Sequence, residues 1–164
     1  MHATSPKPSK TVALVISLLI PLAIGITASM VTRPQIAGWY AALHKPAFNP
    51  PNWLFGPVWT IIYILMGIAA WLVWQKRSSS QLYSSAMFIY VVQLVLNFSW
   101  SMVFFGLHQI AGALAVITLL WMSIGIAIYY FSKFSRVAGW LLVPYLLWVS
   151  YASALNLYIY LLNR

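Results

Sequence analysis

The sequence contains no aspartate, no glutamate and no cysteine. Without carboxylates there is no carboxylate metal ligand, no paired acid and base, and none of the carboxylate relays that drive proton-coupled pumps. Without cysteine, disulfides, thiolate metal sites and cysteine nucleophiles are excluded as well. Charge is scarce altogether: 5% of the 164 residues are charged, all of them basic, against roughly 25% in a soluble domain. What is abundant is apolar surface, at 63% hydrophobic residues. Too few polar groups remain to cover a water-facing surface, so the outer solvent is lipid. The net charge of +9 does not point to nucleic acid. The basic residues stand singly or in pairs between apolar stretches and form no stripe on a folded surface. Basic flanks beside lipid-buried segments suit anionic headgroups instead.

The apolar runs predict an all-α membrane protein, a bundle of five transmembrane helices over about 12–32, 53–75, 82–105, 109–131 and 139–162. Each is near the roughly 20 residues needed to cross a bilayer core. None alternates with period two, which excludes an outer-membrane β-barrel, and in lipid the backbone must satisfy itself by helix. Residues 1–11 read as a disordered polar tail, and 12–164 as a single membrane domain. The first run is long for a signal peptide and ends in no clear small-x-small cleavage site, so it is expected to be a retained helix. Residues 33–52, with four prolines, read as a long loop, and the short remaining connections predict antiparallel neighbours. Lys7, Lys10, Lys76, Arg77, Lys133 and Arg136 fall on one side, Arg33, Lys45 and Arg164 on the other. That excess places the N-terminus in the cytoplasm if the chain sits in a bacterial inner membrane.

Nine tryptophans exceed what an interfacial aromatic belt requires. Trp39, Trp53, Trp71, Trp74 and Trp140 lie near span ends, where a belt explains them. Trp59, Trp100, Trp121 and Trp148 lie deeper and either pack or line a cavity. Gln93, Asn97, Trp100 or Ser101, and Phe104 share one face of the third helix by spacing. Pro144, Trp148, Ala152 and Leu155 share one face of the fifth, with Asn156 alongside. Uncharged amides in such helices face protein; here they either join helices or border a polar spot in an aromatic pocket. Gly25 and Ser29 form a small-xxx-small pair that allows close approach. His44 and His108 fall on one side in separate loops, and nothing resembles a metal cluster or a phosphate loop. Arg33 and Lys45 flank the proline-rich loop as counter-charges for an acidic ligand.

Trp39-Tyr40, Leu43-His44-Lys45-Pro46, the run from Pro50 through Thr60 (PPNWLFGPVWT), and Tyr63 together resemble the signature of the TspO/MBR family. The likeness continues through Gln93, Asn97, Trp100 and Phe104-Phe105-Gly106. It ends with Pro144-Tyr145, Trp148, Ala152 and Leu155-Asn156, and covers the chain from about residue 12 onward. The resemblance implies a five-helix bundle, often homodimeric, whose pocket is capped by the first loop at 33–52. Carried over, the pocket residues are Gly25, Tyr40, Phe55, Trp59, Asn97, Trp100, Phe104, Trp148, Ala152 and Leu155. The implied ligand is a porphyrin, protoporphyrin IX or haem, with isoquinoline and benzodiazepine drugs and sterol as further candidates. No cofactor is required. The implied role is that of a sensor, regulator or translocator of tetrapyrroles. The alternative is light-dependent breakdown of protoporphyrin through Trp59 and Trp148, the only catalytic candidates.

Overall fold

The computed structural model describes residues 9–77 and 80–164. The first eight residues of the expected tail lie outside these. The chain is 86% helical with no strand among the described residues, and five of its helical segments are long and apolar enough to cross a membrane. In chain order the elements are α1 (Lys10–Ile36), α2 (Trp39–Ala42), α3 (Asn52–Gln75), α4 (Gln81–Ser101), a π-helical turn at Met102–Gly106, α5 (Ile110–Phe134), α6 (Arg136–Leu141) and α7 (Val143–Leu162).

Helix starts follow local chemistry. The Ser9 hydroxyl accepts from the Val12 N–H at 3.2 Å, Ser80 accepts from Tyr83 at 3.3 Å and Ser135 from Ala138 at 3.4 Å. Each satisfies an orphan donor of the first turn. Because Ser9 supplies that cap, α1 begins at Lys10, before the expected residue 12.

The ends depart further from the expectation. α1 runs on to Ile36, so part of the region 33–52 is helix, and α2 adds a further turn inside it. Pro34 sits in the last turn of α1 and forgoes the bond to the carbonyl four residues back. The fifth span is two pieces, α6 and α7, hinged at Leu142. Pro144 cannot donate back across that junction, so the helix restarts with proline in its first turn. The third span closes in the π-turn, with Leu107 N–H bonded to the Met102 carbonyl at 2.9 Å. That turn carries both Phe104 and Phe105 into the interior. His108 follows with a φ of 56°, a left-handed residue that reverses the chain into α5.

The spans pack as antiparallel neighbours, most extensively α1 on α3 and α4 on α5. At one end the packing is dense. Met66, Ala69, Val73, Ala86, Ile124 and Phe131 are fully buried there. A Cβ on Gly67 would come within 2.7 Å of the Ser17 carbonyl and 2.9 Å of the Leu18 Cα. Only glycine lets the two backbones meet so closely. Toward the α2 end the same two helices separate, and a cavity opens between them.

Candidate ligand cavity

The cavity has a volume of about 520 Å³ and is enclosed by α1, α2, α3, the end of α4 with its π-turn, and α7. Its floor is set where Gly25 faces Tyr63. A Cβ at Gly25 would run into the Tyr63 ring, so the missing side chain makes room for the ring to lie flat. Trp59, one turn along α3, stacks on Tyr63 with centroids 5.5 Å apart and planes 24° apart. The Tyr63 hydroxyl donates to Asn97 Oδ1 at 2.8 Å, and Asn97 Nδ2 donates to the Tyr145 hydroxyl at 3.0 Å. Asn97 thus joins α3, α4 and α7 from behind the floor and does not itself line the cavity.

The back wall is aromatic. Trp100 and Phe104 stack at 5.4 Å and 25°, beside Ala152, Leu155 and Asn156 of α7. The Trp100 indole N–H donates to Asn156 Oδ1 at 3.1 Å, and Asn156 Nδ2 donates to the Ile110 carbonyl at 3.1 Å. The ring is therefore held at its edge, its N–H satisfied, with one face against Phe104. Phe55 lines the opposite side. Trp148 stands one ring further out, meeting Phe55 edge to face at 5.8 Å. Its indole N–H is buried without a partner among the described residues.

The first loop roofs the cavity. Tyr40 of α2 is buried and donates to Asn49 Oδ1 at 2.7 Å. Burial pushes its phenol up to about 12, with Tyr151 adding to the rise and the Asn49 bond partly offsetting it. Tyr40 therefore stays a neutral donor at any ordinary pH. Lys45 Nζ donates to the carbonyls of Tyr40, Leu43 and Ala41 at 2.7, 2.9 and 3.1 Å, and lies 4.9 Å from the Tyr40 ring centroid. Its charge is spent on folding the loop, and it does not line the cavity. Arg33 does line it, so of the two counter-charges expected from the sequence only Arg33 faces the cavity.

The structure thus gathers Gly25, Tyr40, Phe55, Trp59, Trp100, Phe104, Ala152 and Leu155 around one space, and sets Asn97, Trp148 and Lys45 one layer back. Trp121 lies on the outside, 43% exposed, with its N–H on Ser150 Oγ at 2.8 Å. Tyr63, Ser29, Thr32, Asn52 and Thr60 also line the cavity, beyond the pocket residues that the resemblance implies. Tyr63 was within reach, four positions after Trp59 and hence on the same helical face. The hydroxyls were not, because each is neutralised locally. Ser29 donates to the Ile26 carbonyl at 2.7 Å, Thr32 to Ala28 at 3.0 Å and Thr60 to Gly56 at 2.9 Å. The space is a largely aromatic slot with one cation, Arg33, among its lining residues. It offers faces and edges to a flat molecule.

Comparison with known proteins agrees with this architecture. The model of the TspO/MBR family matches residues 17–162. The chain is 45% identical over 150 residues to the tryptophan-rich protein TspO of Archaeoglobus fulgidus, covering 92% of this chain and 96% of the relative. It is 44% identical over 157 residues to the protein of the same name from Chlorobaculum tepidum, covering 93% and 96%. It is 37% identical over 151 residues to the tryptophan-rich sensory protein of Cereibacter sphaeroides, covering 92% of each. With five spanning helices and a match over nearly its whole length, the chain is an integral, multi-pass membrane protein of the TspO/MBR family.

Proposed function

We propose that the protein binds a porphyrin, protoporphyrin IX or haem, and acts as a membrane sensor, regulator or translocator of such tetrapyrroles. One observation carries the reading: a slot of about 520 Å³ is walled by Trp59, Trp100 and Phe104 and bears a single cation, Arg33, at its rim. A planar, largely apolar macrocycle gains stacking and burial on those faces. Its propionate gains a guanidinium, the cation best shaped for a carboxylate. The kinship with a protein named for a sensory role supports the regulatory part of the proposal. Flat aromatic drugs of the isoquinoline or benzodiazepine type would use the same walls without Arg33, and a sterol would need only the apolar surface. The excess of basic residues at the Lys10 end supports a cytoplasmic N-terminus, and assembly as a homodimer belongs to the same proposal.

The test is a titration of the purified protein with protoporphyrin IX and, separately, with its dimethyl ester, read by tryptophan quenching. Saturable quenching by both, with R33Q weakening only the free acid by about tenfold, supports the proposal. A linear, unsaturable response would remove it.

A second reading is light- and oxygen-dependent breakdown of the bound porphyrin, with dioxygen as the oxidant. Trp59 on the wall, stacked on Tyr63, with Trp148 one ring behind Phe55, favours it, since an indole can pass an electron to the excited porphyrin, which dioxygen then takes up. A product absorbance that appears on illumination only with protein, and disappears in W59F, would support it. Equal bleaching without protein would end it.

A further inference from the structure

The cavity has two conceivable entrances, and the structure treats them differently. Along the bundle axis it is covered by the first loop. That loop is fastened to α7 at two distant points. Asn163 Oδ1 accepts from the His44 N–H at 3.0 Å, and Asn163 Nδ2 donates to the His44 carbonyl at 2.9 Å. One amide side chain so pairs with both backbone groups of one loop residue, as a neighbouring strand would. The Tyr151 hydroxyl donates to the Phe48 carbonyl at 2.6 Å, and the Phe48 ring sits edge to face against Tyr158 at 5.2 Å. On the other flank, Trp39 stacks on His108 at 4.2 Å and 13°, and the His108 ring contacts Gln35 Oε1 at 3.1 Å. With the Lys45 bonds inside it, the loop is tied down at its start, middle and end.

The side of the bundle is different. The cavity-lining residues Ile26 and Trp53 are 59% and 71% exposed, Arg33, Gly56 and Thr60 are exposed as well, and Ser29 is half-buried. They belong to α1 and α3, the two helices that touch at Gly67 and part beyond Gly25. The gap between them runs from the Gly25 level to Arg33, eight residues or about 12 Å along the axis. It opens sideways within the apolar span of α1 and ends at Arg33. The hydroxyls of Ser29 and Thr60 on its rim are both folded onto their own helices. A Cβ on Gly56 would meet nothing within 4 Å, so this edge is not filled by protein.

We infer that the cavity is loaded from the lipid, sideways through the gap between α1 and α3, and that the first loop is a fixed cap and no gate. This rests on the porphyrin reading for the identity of the ligand, and adds its source: a flat amphiphile already dissolved in the bilayer. Such a molecule travels with its ring among the acyl chains and its carboxylate at the headgroups. In that orientation the ring meets the gap edge-on and the carboxylate arrives at Arg33 without leaving the interface.

The absence of cysteine makes the two entrances separately testable. The pair S29C and T60C, bridged by a short disulfide-forming bifunctional reagent, closes the gap. The pair H44C and N163C, bridged alike, locks the loop to α7. Each is reconstituted in nanodiscs, and the rate of tryptophan quenching by protoporphyrin IX delivered in lipid is followed before bridging, after it, and after reduction. Bridging the gap should slow loading at least tenfold and reduction should restore it, while locking the loop changes the rate less than twofold. Slowing by the loop bridge, alone or together with the gap bridge, overturns the inference. A second readout needs no porphyrin. A spin label on S29C should be relaxed more by lipid-dissolved oxygen than by an aqueous nickel chelate, and the reverse order also overturns it. Absence of quenching in the unbridged protein would instead strike the porphyrin reading, and the spin label would still decide the route.

Discussion

The two halves of the bundle are built on opposite principles. At the Lys10 end, small residues bring helices into contact: Gly67 lets α1 and α3 meet backbone to backbone, and Ala69, Ala86, Ala127 and Ala138 are at most 1% exposed. At the other end, large rings hold helices apart. Trp59 stacks on Tyr63 and Trp100 on Phe104, and the polar edges of Tyr63 and Trp100 are fixed by amides on other helices. Lipid tails give little drive for helices to associate, so close approach and interhelical hydrogen bonds set where they touch. The same chain therefore closes where Gly67 lets α1 and α3 meet and stays open where the Trp59–Tyr63 and Trp100–Phe104 pairs stand.

Substitutions at matched positions in the two halves should break or sharpen this contrast. The largest effect is expected at Gly67. G67L drives a branched side chain into the α1 backbone and should cost about 3 kcal/mol, read as a fall in the thermal midpoint in detergent. N97L comes next. It leaves the hydroxyls of Tyr63 and Tyr145 without their shared partner, for about 2 kcal/mol, and should loosen the cavity floor without closing the cavity. N163A removes the double bond to His44 and should cost about 1 kcal/mol, with faster proteolysis of the first loop as its signature. The smallest effect is expected at Gly56, where a Cβ meets only open space. G56A should stabilise the helix by about 0.5 kcal/mol. If G56A proved as damaging as a change at Gly67, the contrast between the halves would fail.

The same contrast explains what could be read beforehand. Five spans are written in the hydropathy because lipid imposes length and apolarity on each helix separately. Helix ends are less legible, since they depend on a cap such as Ser9, the π-turn after Ser101, or the junction at Leu142. Within the site, the spacing of Trp100 and Phe104 placed them together because both sit on one helix. The separate fates of Arg33 and Lys45 could not be read that way. Both are lone cations beside the same loop, and only the folded carbonyls of Tyr40, Ala41 and Leu43 decide that Lys45 is consumed. Likewise Trp59 and Trp148 are equivalent as deep tryptophans until the Phe55 ring stands between one of them and the cavity. The Asn163 clasp joins residues 119 apart, and neither residue announces it.

The central claim is that the aromatic slot, and not tryptophan content in general, holds the ligand. The most direct measurement compares two single variants in a protoporphyrin IX titration: W59A, which removes a wall of the slot, and W121A, which removes an indole on the outer surface. The account predicts at least a tenfold loss of affinity in W59A, with W121A unchanged. Equal affinities in the two variants, or a loss confined to W121A, would contradict it.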